Sequence, residues 1–269
     1  MNVIYYFSGT GNTLFAAEKF AEALGDDTQL ISISSLNRAE NIDPWNADTV
    51  GFFFPVYCFG VPHIYMKFME RVAKWKNTAD GHKPYVYNLC TSGGMKGTAA
   101  MILDNILYEK DLRLDAAFHI QMPSNYIPLS TPPSEERCQR LYQKAETAIA
   151  KFAEKVKNRK KERPVRVFPF DMFGELVAKR AVDCMMENYD KYFWLNENCD
   201  NCGICQKVCP ASNIIMMNGM PTWRGHCEQC MACLQWCPKQ AIQFKQVTTK
   251  RKRYHHPAIK VEDLFRDKN

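Results

Sequence analysis

VIYYFSGTGNT, residues 3–13, runs from five apolar residues straight into a loop of two glycines, three hydroxyl side chains and one amide, with no charge in it. A strand that empties into such a loop, and then into a helical pattern, offers its backbone N–H groups to an anion. Single residues exclude two familiar nucleotide loops. A Walker A loop needs a lysine, and the first lysine is Lys19; a dinucleotide fingerprint needs a third glycine, and Leu14 stands there. What remains is either an ordinary tight turn or a nest suited to one phosphate, offering the Ser8, Thr10 and Thr13 hydroxyls, the Asn12 amide and backbone N–H groups, those of Gly9 and Gly11 among them.

Working outward, apolar β-rich runs recur at 2–7, 28–33, 49–54, 84–91 and 114–120. Helical spacing fills the gaps: Ala17, Phe20, Ala21 and Leu24 share one face, Ile64, Phe68 and Val72 another, and 98–108 reads as a third helix. Strands alternating with helices predict an α/β domain with a parallel sheet covered on both faces, over about residues 1–160. A capping-like TPPSEE at 131–136 opens a long helix over 135–160, which ends in the charge-dense KNRKKER, expected as a solvated end or linker. An amphipathic stretch then predicts a helical connector over 161–195.

Ligands of open α/β sheets bind beyond the carboxyl ends of the strands. Two further loops lie there: PVYCFGVP at 55–62 and TSGG at 91–94. Tyr57 and Phe59 sit in a loop rather than on a core face and are suited either to stacking on a flat ring or to anchoring the loop by burial. MPSNYIP at 122–128 follows the fifth strand, and Asn125 or Tyr126 is expected to reach the ligand or to act as a lid.

Twelve cysteines are unevenly placed, eight of them between 199 and 237. Segments from 199 and from 227 align at an offset of 28, each reading C-x2-C-x2-C-x3-C-P. Three closely spaced thiolates wrap one face of an iron–sulfur cube, and the fourth, one turn later, reaches the other cluster. One cluster is therefore expected on Cys199, Cys202, Cys205 and Cys237, and the other on Cys227, Cys230, Cys233 and Cys209. Structural zinc also uses C-x2-C pairs but spaces them widely. Of the other cysteines, Cys58 is expected near the ligand, while Cys90, Cys138 and Cys184 are expected to pack as small apolar groups.

The C-terminal segment resembles the bacterial two-cluster 4Fe-4S ferredoxins, with both motifs intact. The loops of residues 1–160 together resemble flavodoxin, which implies a five-stranded parallel sheet in the order 2-1-3-4-5 and bound FMN. By that resemblance Ser8 to Thr13 hold the phosphate, while Pro55, Val56, Tyr57, Cys58, Phe59 and Gly60 flank the isoalloxazine. Thr91, Ser92, Gly93 and Gly94 reach its pyrimidine edge, and the Phe59–Gly60 peptide turns its carbonyl toward the flavin N5. The whole chain resembles fused flavodoxin–ferredoxin proteins of anaerobes: a flavodoxin-like domain over 1–160, a small α+β ferredoxin domain over 196–246 and a basic tail over 247–269.

The expected function is electron transfer between two 4Fe-4S clusters and FMN, with a redox protein as partner. An alternative is an FMN-dependent reductase of a small organic acceptor fed through the clusters. A more remote one is a zinc-stabilised nucleic-acid module using KRKR at 250–253. The formal charge of +6 counts every thiol as neutral and falls toward zero once clusters and a phosphate are bound, so it argues little for nucleic acid. The longest nearly apolar run, 50–61, has 12 residues broken by Gly51, Pro55 and Gly60, too short to span a membrane. With no basic leader the expected compartment is the cytoplasm. Lys207 and Lys239 stand beside the cysteine motifs as candidate potential-raising charges, and the tail reads either as a solvated extension or as a basic dock with His255 and His256 near a cofactor.

Overall fold

The computed structural model describes residues 1–36, 40–77, 81–165 and 189–265. Most of the expected connector, and Cys184 with it, lies outside the described residues. The apolar runs form strands β1 (Asn2–Tyr6), β2 (Thr28–Ser32), β3 (Thr49–Pro55), β4 (Tyr85–Ser92) and β5 (Ala116–Gln121). They make one parallel sheet in the order β2-β1-β3-β4-β5, the doubly wound order of flavodoxin-like folds. The register sets Tyr6 beside Phe53 and Pro55 beside Thr91, so the loops after β1, β3 and β4 open at one edge.

Helices α1 (Asn12–Leu24) and α4 (Glu135–Lys157) cover one face of the sheet, and α2 (His63–Arg71) and α3 (Ala99–Tyr108) cover the other. A sheet buried on both faces needs apolar side chains at successive positions, which is why β3 reads VGFFF without alternation. Phe20 stands at the centre of one layer. It is fully buried, stacks on Tyr87 at 5.5 Å and meets Phe53 edge-on at 5.2 Å. Ser134 caps α4 through its hydroxyl, and acidic residues in the first turn with lysines in the last complement the helix dipole.

The charge run after α4 is exposed throughout, as expected for a solvated end, but its backbone also touches the sheet. Glu162 N–H donates to Asp115 O at 2.8 Å and Glu162 O accepts from Ala117 N–H at 3.0 Å. Glu162 thus makes one isolated parallel bridge to β5, an edge strand whose open backbone groups need covering.

In the C-terminal unit β6 (Phe193–Leu195) pairs with β9 (Ile242–Phe244), and β7 (Ile214–Met217) with β8 (Met220–Trp223), both antiparallel. Single-turn helices α5 (Ile204–Lys207) and α6 (Ala232–Gln235) carry Cys205 and Cys233. The core is small: Ile127, Phe193, Ile214, Leu234 and Phe244 surround buried cysteines. Such a core is too small to stabilise the segment by burial alone.

The tail is not a solvated extension. Tyr254, His256 and Ile259 are buried, and the chain folds back over α1. The Tyr254 hydroxyl donates to Asn12 Oδ1 at 2.6 Å and lies 3.0 Å from the Tyr142 hydroxyl. His256 N–H donates to Thr10 O at 2.9 Å, and its ring stacks on Phe15 at 4.0 Å.

Two outcomes follow from this packing. Phe20→Ala should cost about 3–5 kcal/mol, read as a lower urea midpoint of the α/β unit. Burial, with His255 adding, lowers the His256 pKa from its ordinary 6.5 to about 4. The fold therefore holds a neutral ring where the unfolded chain binds a proton. The stability this contributes is present above about pH 6.5 and is lost as pH falls toward about 4, roughly 3 kcal/mol in all. His256→Phe keeps the ring stack and should flatten that part of the pH dependence of the melting temperature.

Candidate functional site

Two small spaces open in the C-terminal unit, each with a cavity volume of about 20 Å³. Cys199, Cys202, Cys205 and Cys237 line the outer one, with Met216, Pro221 and Ile242. Cys209, Cys227, Cys230 and Cys233 line the inner one, with Phe193, Ile214 and Trp223. Each triplet thus meets the fourth cysteine of the other motif. Among the described residues, no three His, Cys, Asp or Glu side chains converge tightly enough for a single ion. Tetrahedral zinc requires four ligands at about 2.3 Å from one centre, whereas a cubane holds its thiolates apart around a solid body. The donor set fits clusters.

Backbone donors already point at these sulfurs. Asn213 N–H reaches Cys209 Sγ at 3.2 Å, and Gln229 and Ala241 N–H groups reach Cys227 and Cys237 Sγ at 3.3 Å. Such hydrogen bonds stabilise the more negative, reduced cluster. Burial pushes the Cys205 and Cys227 thiols up to about 12 and raises those of Cys230 and Cys233 well above the ordinary thiol value, with neighbouring cysteines adding in each case. Thiolates so enclosed require cations between them. The outer quartet reaches the surface at the exposed Cys202, while Cys230 of the inner quartet packs against the cores on both faces of the α/β sheet.

That inner quartet adjoins the glycine loop. A Cβ on Gly9 would lie 2.8 Å from the Cys230 carbonyl oxygen and 3.4 Å from the Tyr57 hydroxyl. Trp236 Nε1–H donates to Gly9 O at 3.0 Å. Gly11 has φ +93°, and a Cβ there would meet the His256 and Ile259 side chains at 3.0 and 3.1 Å. Glycine at position 9 is thus imposed by the C-terminal unit, a reason the loop sequence alone does not contain, whereas at position 11 the left-handed backbone requires it as well.

The loop side chains brace the loop itself. Thr13 and Thr91 hydroxyls are 2.8 Å apart, and Asn125 donates to the Thr10 hydroxyl. Asn12 donates to Pro123 O at 3.1 Å while accepting from Tyr254. The main chain is what remains free. Among the described residues, no acceptor takes the backbone N–H of any residue from Ser8 to Leu14. These donors precede a 13-residue helix with no acidic side chain in its first turn. The donor set fits a single phosphate such as that of FMN.

The aromatic loop differs in detail from the expectation. Tyr57 and Gly60 exchange backbone hydrogen bonds of 3.1 and 2.8 Å around Cys58 (φ 47°) and Phe59 (φ 65°). Two consecutive left-handed residues make a type I′ turn, costly without glycine. Thr98 holds it: its N–H donates to Phe59 O at 2.8 Å and its hydroxyl approaches the same oxygen at 3.3 Å. The Phe59 carbonyl is therefore already bonded rather than free to turn toward a flavin. Tyr57 packs inward, edge-on to Phe7 at 6.1 Å, whereas Phe59 is 44% exposed. Pro55, Val56 and Cys58 are half-buried, and burial raises the Cys58 thiol pKa.

At the neighbouring edge Thr91 is buried and Gly93 and Gly94 are exposed. Ser92 Oγ lies 2.8 Å from His119 Nε2 and accepts from Gly94 N–H at 3.1 Å. The Tyr126 hydroxyl donates to Gln229 Oε1 at 2.7 Å, placing it on the seam with the inner quartet.

Several seam residues carry no signal in the sequence. Glu228, between two inner cysteines, accepts from Ile64 N–H at 2.9 Å and lies 3.1 Å from His63 Nδ1. Its carboxylate caps the start of α2, 164 positions away in the chain. Gln235 donates to Asn125 O at 2.7 Å and accepts from Tyr254 N–H at 2.7 Å. Lys207 lies over the Phe265 ring at 5.4 Å, and Lys239 stands 3.9 Å from Asp200.

Among known proteins, residues 198–242 match the family model described as 4Fe-4S dicluster domain. No curated protein matches the chain. Among solved structures the chain is similar to a flavodoxin from the domain Archaea, at 18% identity and TM-score 0.37, over 58% of this chain and 98% of that one. It is also similar to two-electron reduced Megasphaera elsdenii flavodoxin, at 18% identity and TM-score 0.35, over 55% and 100%. A third is an FMN-dependent NADH-azoreductase from Bacillus anthracis in complex with FMN, at 12% identity and TM-score 0.35, over 56% and 98%. At such scores the N-terminal fold rests on the strand order of this chain alone. The chain joins a doubly wound parallel sheet of order 2-1-3-4-5 to a segment, residues 198–242, that matches the 4Fe-4S dicluster domain model.

Proposed function

We propose that this protein passes electrons between two 4Fe-4S clusters, on the outer and inner cysteine quartets, and an FMN held at the sheet edge. One observation carries the reading: the Cys230 carbonyl stands 2.8 Å from where a Gly9 Cβ would be, so the inner quartet and the phosphate loop share a wall. The exposed Cys202 makes the outer quartet the port for a redox protein partner. FMN exchanges one or two electrons while each cluster exchanges one, which joins two kinds of carrier.

The chain's own groups divide the work. Backbone N–H groups from Ser8 to Leu14 bind the phosphate, and Phe59, Ser92, Gly93 and Gly94 border the ring. Trp236 and Tyr126 keep the inner quartet seated against the loop. The flavin unit takes about residues 1–160 and the cluster unit about 196–246. The exposure of Phe59, Gly93 and Gly94 favours a second reading, a reductase with a small organic acceptor docked over that edge. Among the described residues no helix is long and apolar enough to cross a membrane.

Anaerobically purified protein should contain about eight iron atoms, about eight sulfides and about one FMN per chain; zinc without sulfide would sink the cluster reading. Cys209→Ser should remove the inner cluster and block flavin reduction through the chain while the outer cluster's EPR signal persists. Gly9→Ala forces a methyl onto the Cys230 carbonyl and should weaken FMN binding by about tenfold at unchanged iron content, within the ~1–3 kcal/mol range of overpacking. In stopped flow, rapid flavin oxidation by a small quinone without a protein partner would favour the reductase over the carrier.

A further inference from the structure

The basic run at 250–253 has a role that its sequence conceals. Lys250 and Lys252 are exposed, but the two arginines turn inward. Arg251 donates to Ile127 O. Arg253 donates from Nη2 to Ile242 O at 2.9 Å and from Nη1 to Thr248 O at 3.4 Å. Its Nε is buried and has no hydrogen-bond partner among the described residues. An orphaned donor on a guanidinium is costly, because the charged group has given up water without replacing it.

The neighbours identify what that donor faces. Ile242, which accepts from Arg253, lines the outer cysteine space together with Cys237. The next residue, Tyr254, bonds through its N–H to Gln235, midway between Cys233 and Cys237. The arginine thus runs beside the segment that gives one thiol to the inner quartet and one to the outer. Burial lowers the guanidinium pKa, while Cys237 and then Cys233 act against that shift as its charged neighbours. An arginine remains charged in such a setting. The lysines flanking the motifs are less suited: Lys239 is 55% exposed and paired with Asp200.

We propose that Arg253 is a potential-setting residue shared by both clusters, its half-buried charge and unpartnered, buried Nε–H stabilising the extra electron on either one. The inference rests on the two-cluster reading. Reduction adds negative charge to a cluster, and a fixed cation in a low-dielectric interior favours that state. It also offsets part of the repulsion between two reduced clusters held in one small unit.

The test is an EPR-monitored dithionite titration of the full-length, cluster-loaded protein, after iron and sulfide analysis. In Arg253→Gln the oxidised-to-reduced ratio at a fixed potential should rise about tenfold for both clusters, ~59 mV for a one-electron couple. Arg253→Lys, which keeps the charge and one donor and is the gentler change for folding, should shift both in the same direction by less. Lys252→Gln, at an exposed neighbour, should leave both potentials unchanged. Unmoved potentials in a cluster-loaded Arg253→Gln or Arg253→Lys protein would overturn the proposal, as would a shift confined to one cluster. Wild-type protein lacking iron and sulfide would instead overturn the two-cluster reading on which it stands.

Discussion

The Cys230 carbonyl approaches Gly9 where any side chain would collide, and the Trp236 indole N–H closes the contact on the Gly9 carbonyl. Two units meet there, backbone against backbone, and their cores merge, with Val208, Ala232 and Trp236 packed into the layer that holds Leu14 and Phe15. The contact leaves no room for a residue larger than glycine, so the glycine loop is shaped from two sides. Its own helix calls for an open first turn, and the cysteine unit calls for a surface without side chains. Glu228 on α2, Tyr126 on Gln229 and Gln235 on the Asn125 loop tighten the same seam. Each is a polar group satisfied across the seam, which gives the docking an orientation that apolar packing alone would not.

Charge follows the same logic. The cysteine unit encloses thiols whose ionisation burial opposes, so its stability and its metal content are one quantity. N–H groups aimed at Cys209, Cys227 and Cys237 and the inward-turned Arg253 supply the positive side of that balance. The phosphate loop does the same with main-chain dipoles and no cation. Both sites therefore favour added negative charge through fixed donors, a setting that suits groups whose charge changes as electrons move.

Much of this was legible before folding. The unbroken apolar runs required a sheet buried on both faces, and the strand order followed the one implied by the loops. The cysteine spacing predicted the crossed quartets, because three thiols two residues apart can face only one body and the fourth lies a turn beyond. Less legible was the use of individual side chains. Tyr57 reads as a stacking aromatic but packs on Phe7, and Phe59 reads as a flexible peptide but is pinned by Thr98. The tail reads as a charge run but buries Tyr254 and His256 over the loop. A local pattern reports periodicity and backbone freedom, not which distant atom fills the space.

By itself, then, the sequence determined an α/β sheet and two matching cysteine motifs of the 4Fe-4S kind, and raised the expectation of an anion loop without cations. These depend on spacings of a few residues, which the chain cannot alter by folding. The tertiary structure alone decided that the inner quartet faces the glycine loop, that Glu228 caps a helix 164 positions away, and that Arg253 turns inward. Those contacts join residues far apart in the chain, and their energy comes from burial and from satisfying polar groups across the seam. No local spacing encodes them.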